Sequence, residues 1–115
     1  MRFKSNVLVC HNTTVAFILA SWEEACKRAV SMDYDPTCTS GMDGTHSVES
    51  GHYFARALDF RVRDIDFHLR RNLQAAAQEL LGPSYLVLLE QTHYHIQRNH
   101  DTFGKNMIPP ITREV

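Results

Sequence analysis

Cysteine is scarce in this chain: Cys10, Cys26 and Cys38 make an odd number with no C-x-x-C pair. That rules against a disulfide scaffold and a thiolate zinc site, and predicts reduced, mostly buried thiols. Charge of one sign is missing too. Twelve Lys and Arg stand against 13 Asp and Glu, a formal net charge of -1, so no basic field invites nucleic acid or an anionic membrane surface. The longest apolar stretch, around residues 15–20, is far short of the roughly 20 residues that span a bilayer. Met1-Arg2-Phe3-Lys4 is not followed by a signal-peptide core with a small-residue cleavage site. The expected mature chain therefore begins here, and the cytoplasm of the producing cell is its default compartment. No repeat, low-complexity tract or linker divides the 115 residues, and a single domain over 1–115 is expected. Hydrophobic residues at 43% and charged residues at 22% are ordinary for a globular protein and argue against disorder.

The periodicity predicts a first helix over residues 13–31, capped by Thr13 or Thr14. Val15, Ile18, Leu19, Trp22, Ala25, Ala29 and Val30 recur there at spacings of three and four. Trp22 reads as core. Turn formers dominate residues 33–51, broken by a short strand-like piece at 37–40. Residues 54–62 alternate as a strand, with Ala55, Ala57, Asp59 and Arg61 on one face and Phe54, Arg56, Leu58, Phe60 and Val62 on the other. A second helix is expected over residues 65–81, with Asp64 or Asp66 at its positive end, Gly82 as C-terminal cap and Pro83 stopping it. Residues 85–90 and 93–97 read as two strands, or one broken at Gln91-Thr92, and an irregular tail follows from Asn99. This order predicts an α+β domain: two main helices against a small, mostly antiparallel sheet.

Histidine is what the chain has in excess, with seven. His52 and Asp59 are seven apart; a histidine at a loop mouth and an aspartate on the strand proper can converge on one point. Asp59 lies between Leu58 and Phe60, where a carboxylate needs a partner because an unpaired buried charge is costly. A divalent cation is one such partner; Arg56, Arg61 or Arg63 is another. The second cluster is Glu90-Gln91-Thr92-His93-Tyr94-His95-Ile96-Gln97. On a strand, His93, His95 and Gln97 share one face while Tyr94 and Ile96 point into the core. Catalytic zinc takes three protein ligands and leaves a position open. His52, Asp59 and one of His93 and His95 would supply that set. The remaining histidines are less suggestive: His46 reads as a loop residue, and His11, His68 and His100 as surface residues.

Ser50-Gly51-His52-Tyr53-Phe54-Ala55-Arg56-Ala57-Leu58-Asp59 resembles the S-x-H-x-x-G-x-A-x-D signature of the D-alanyl-D-alanine carboxypeptidase and L-alanyl-D-glutamate endopeptidase family. These are zinc peptidases of bacterial peptidoglycan, and the hedgehog signalling domain shares their fold. Residues 80–90, followed by His93-Tyr94-His95-Ile96-Gln97, are similar to the family's second signature, and residues 39–47 to a turn before the zinc loop of small phage-type members. The resemblance runs from about residue 37 to 97 and implies a hedgehog/DD-peptidase-like fold. It implies zinc on His52 and Asp59, with Ser50 beside the substrate. For the third ligand, His95-Ile96-Gln97 fits one ending of the family and Glu90-Gln91-Thr92-His93-Tyr94 fits another; the first is preferred.

The sequence departs from that pattern in three places. Ala55 stands where the signature has glycine. Thr92, three residues before His95, stands where the acidic base is expected, leaving Glu90 or His93 to act as the catalytic base. Met42 and Asp43 occupy the stretch where the endopeptidase branch places an arginine, leaving His46 and Arg56 as the nearby cations for substrate binding. The resemblance thus implies a zinc metallopeptidase that cuts amide bonds in peptidoglycan stem peptides or cross-bridges, as a phage-type lysin acting on the wall after release. A non-catalytic zinc-binding domain of the same fold, serving a particle or as a binding module, is the alternative that Thr92 favours.

Overall fold

The computed structural model describes residues 1–9, 12–41 and 56–99. Helix α1, Thr13–Ala29, starts one residue after Asn12, whose extended backbone lets its side-chain oxygen accept from the Val15 N–H at 2.8 Å. The expected threonine caps are thus corrected. Both lie inside the helix, and asparagine before them is the stronger cap. Lys27 and Arg28 sit in the last turn, where the helix dipole favours cations. The Cys26 carbonyl then accepts from both the Val30 and Ser31 N–H groups, closing α1 two residues before the expected end.

The second helix also begins later than expected. Residues 63 and 64 form a turn, a 3₁₀ segment Phe67–Leu69 follows, and α2 runs over Arg70–Leu81. Asp64 is not its cap, because Asp64 accepts a hydrogen bond from the Tyr34 hydroxyl at 2.9 Å. Asp66 makes no side-chain capping bond either. Gly82 does end α2, at φ +88°, with its N–H donating to the Gln78 carbonyl at 2.9 Å. That left-handed backbone favours glycine over any residue with a Cβ.

Five strands form one sheet: β1 Arg2–Phe3, β2 Thr37–Ser40, β3 Ala57–Arg61, β4 Tyr85–Leu89 and β5 His93–Arg98, in the order β1-β2-β3-β5-β4. The β1–β2 pair is parallel and the other three pairings are antiparallel. The α+β architecture with a mostly antiparallel sheet is therefore as expected, and β1 is an addition. Two residues are too few to carry a visible alternation. Residues 54 and 55 of the expected central strand, and the tail beyond Asn99, lie outside the described residues. Gln91-Thr92 is a tight hairpin rather than a break, closed by the Glu90 N–H donating to the His93 carbonyl at 2.8 Å.

Both helices cover the same face of the sheet. Trp22 of α1 is fully buried; it stacks on Phe60 of β3 at 5.0 Å and tilts against Tyr94 of β5 at 4.6 Å. Tyr94 also donates its hydroxyl to the Arg70 carbonyl at 2.8 Å. Ile18, Leu58, Leu73, Ala77, Val87 and Ile96 fill the rest of this layer. Cys26 and Cys38 are buried thiols, and Cys10 lies outside the described residues. Burial, with smaller contributions from Asp64 and Glu23, pushes the Cys26 thiol up to about 12, which leaves almost no reactive thiolate at neutral pH.

Edge strand β4 is tied to α2 rather than left open. The Gln78 side chain donates to the Gly82 and Tyr85 carbonyls and accepts from the Val87 N–H. Gln74 donates to the Val87 carbonyl at 2.9 Å. Side-chain amides here take the place of a neighbouring strand, which protects an otherwise sticky edge.

Candidate functional site

Alternation along β3 and β5 sends one set of side chains into the helix layer and the other to the opposite face. In the antiparallel register Asp59 lies opposite His95, Arg61 opposite His93 and Ala57 opposite Gln97. Residues directly opposite in an antiparallel pair have Cβ atoms about 5 Å apart, so the register alone brings Asp59 and His95 together. The expected shared face of His93, His95 and Gln97 is present, and Tyr94 and Ile96 are fully buried on the other side.

Asp59 is only 8% exposed. Its Oδ1 lies 2.9 Å from His95 Nδ1, and His95 Nε2 lies 2.7 Å from the Gln97 side-chain oxygen. Both imidazole nitrogens thus face oxygen acceptors, an arrangement that suits the doubly protonated ring. Burial pushes the His95 pKa down, but the hydrogen bonds to Asp59 and Gln97 and the charges of Asp59 and Glu90 outweigh it. The result lies above the ordinary value of 6.5. Gln97 was anticipated on this face, but its hold on His95 was not; only the pairing of side chains two apart on one face could have suggested it.

A second histidine pair stands one step along β5. His93 Nε2 is 2.7 Å from a Glu90 carboxylate oxygen and 3.7 Å from Asp59 Oδ2, and its Nδ1 is 2.9 Å from the Thr92 hydroxyl. The hairpin positions Glu90, because a two-residue turn folds the end of β4 back against the start of β5. Glu90 is half exposed, so the pair is open to solvent or to a bound molecule. Asp59, Thr92 and His93 also line a cleft of about 600 Å³, within the usual size range of small-ligand sites.

The partner expected for Asp59 was a metal or an arginine. Among the described residues Asp59 pairs with His95. Arg61 and Arg63 form no ion pair among the described residues. Arg56, the expected substrate-binding cation, is half-buried just before β3 and accepts from the Arg98 N–H through its backbone carbonyl at 2.9 Å. His46, Ser50 and His52, and with them Ala55, lie outside the described residues.

Among the described residues, no group of three or more His, Cys, Asp or Glu side chains is gathered so as to hold a metal ion. Two members of the expected ligand set are described, however. Asp59 and His95 bring a carboxylate oxygen and an imidazole nitrogen to 2.9 Å of each other, and that pair of donor types suits zinc. No helix among the described residues is long and apolar enough to cross a membrane. Compared with known proteins, the chain matches no family model, no curated protein and no solved structure.

Proposed function

We propose that this chain is a zinc-dependent peptidase that hydrolyses amide bonds in peptidoglycan peptides, with His52, Asp59 and His95 as metal ligands. The observation that carries the reading is the cross-strand pair of Asp59 and His95 at 2.9 Å, with the Glu90–His93 pair beside it at 2.7 Å on the same face. When bound, zinc supplies a water of lowered pKa and polarisation of the scissile carbonyl. The chain's own residues do the rest. Gln97 fixes the His95 ring through Nε2, which leaves Nδ1, the nitrogen beside Asp59, as the metal donor once it gives up its proton. Glu90 or His93, paired at 2.7 Å, takes a proton and returns it to the leaving amine. The cleft along Asp59, Thr92 and His93 gives an extended peptide room to lie. Action on the cell wall after release from a producing cell, as in a phage-type lysin, belongs to the same proposal. So does the hedgehog/DD-peptidase-like fold.

Metal analysis of the purified protein and a turbidity assay on stripped cell walls test the reading. About one zinc per chain is expected, lost in Asp59→Ala and His95→Ala but kept in His93→Ala, which loses rate instead. Full zinc occupancy in both ligand variants sinks the site as drawn. Loss of metal in His93→Ala but not in His95→Ala moves the third ligand to His93 and leaves Glu90 as base.

One observation favours the non-catalytic alternative. Position 92 is threonine, and its hydroxyl is engaged with His93, so no carboxylate stands three residues before His95. Zinc binding without wall hydrolysis decides for a binding module.

A further inference from the structure

The cleft beside Asp59 and His93 has an imbalance of charge that the proposed chemistry does not use. Lys4, Arg61, Arg63 and Arg70 all line it, against the single carboxylate of Asp59, in a chain whose formal net charge is -1. Arg70 is committed: its Nε donates to the Ile65 carbonyl at 2.9 Å, and its guanidinium sits 5.7 Å above the Phe67 ring. The Asp59 carboxylate is committed as well, to His95. Among the described residues, the side chains of Lys4, Arg61 and Arg63 have no hydrogen bond or ion pair.

These three cations come from three places: Lys4 just past β1, Arg61 at the end of β3 and Arg63 in the following turn. Arg61 lies directly across from His93. A cleft lined by one sign of charge focuses its field and draws in counter-charge. Guanidinium groups suit planar carboxylates, which they grip with paired hydrogen bonds. Asp59 in the same cleft opposes a densely charged polyanion, and the volume of about 600 Å³ suits a small ligand.

We propose that this cleft is an anion site in which Arg61, Arg63 and Lys4 hold the free carboxylates of an acidic peptide. The inference rests on the peptidase reading for the peptide nature of the ligand, not for the charge it carries. It makes the enzyme selective for stem peptides with free acid groups over their amidated forms.

The test is a titration followed by backbone amide shifts, with N-acetyl-D-glutamate, whose one amide bond joins an acetyl group rather than an amino acid, and its neutral counterpart N-acetyl-D-glutaminamide. The acid is expected to bind at least about tenfold tighter, with shifts clustered at residues 4, 61–63 and 91–93. Arg61→Gln and Arg63→Gln keep the hydrocarbon stems, and each is expected to weaken acid binding about tenfold while leaving amide binding unchanged. Circular dichroism of the variants checks the fold. Equal affinity for acid and amide overturns the proposal, as does an acid preference that survives both substitutions. Tighter binding of inorganic phosphate or of a short oligonucleotide also overturns it, in favour of a phosphate site. Wall hydrolysis, measured separately, keeps the two claims apart. Hydrolysis without acid preference removes this inference and spares the peptidase reading; acid binding without hydrolysis does the reverse.

Discussion

At position 92 one side chain separates the two proposed readings. Glu90 already stands 2.7 Å from His93, so a second carboxylate at Thr92 adds repulsion rather than a missing base. Thr92→Asp is expected to leave wall hydrolysis unchanged or lower. A rise of about tenfold or more would place the absent base at 92, since a positioned base is worth about 10²–10⁴ in rate. His95 carries a second prediction, for the metal-free protein. Its pKa is raised above 6.5 in the folded state, where the bonds to Asp59 and Gln97 outweigh burial. A raised histidine contributes stability that is complete below its unfolded value and fades as pH climbs through the folded one. In chelator-treated samples, the loss of Tm in His95→Gln should therefore be greatest near about pH 5 and shrink toward about pH 8. A loss that grows with pH would reverse the assignment. Much of this residue-level pattern was legible beforehand. Period-two alternation put Asp59 and Arg61 on one face of β3 and His93, His95 and Gln97 on one face of β5. What alternation cannot supply is pairing between strands, so the contact of Asp59 with His95 was invisible.

Elements show the same division between local signal and tertiary choice. The apolar spacing of α1, the glycine stop of α2 and the β4–β5 strands follow from short-range chemistry, and the structure has them. The start of α2 does not, because Asp64 bonds to Tyr34 thirty residues away, a partner no local window contains. Nor was the role of Gln78 readable, since glutamine on a half-polar helix face looks like solvent-facing surface. In fact it spans from α2 to three backbone groups of Gly82, Tyr85 and Val87. Gln78→Ala leaves those groups short of partners, at a cost of about 1–3 kcal/mol, read as a lower denaturant midpoint. Because β4 pairs with the strand that carries both histidines, hydrogen-exchange protection in β5 should fall in the same variant. A variant with unchanged midpoint and unchanged β5 protection would show the latch to be ornamental.

For the molecule as a whole, the two helices stand on one side of the sheet and the candidate site on the other. Trp22, Phe60 and Tyr94 hold one side; Asp59, His93 and His95 hold the other. Substitutions in the helix layer should thus lower stability with little direct effect on the site. Those on the far side should do the opposite. This arrangement also sets how such a chain can change in length. One residue added within β5 turns every following side chain over, sending His95 toward Trp22 and Tyr94 into water. Two residues added restore the facing. Inserting a single alanine between His93 and Tyr94 is therefore expected to abolish cooperative unfolding, whereas inserting two keeps it at reduced stability. Insertions and deletions in this strand can be inherited in pairs but not singly.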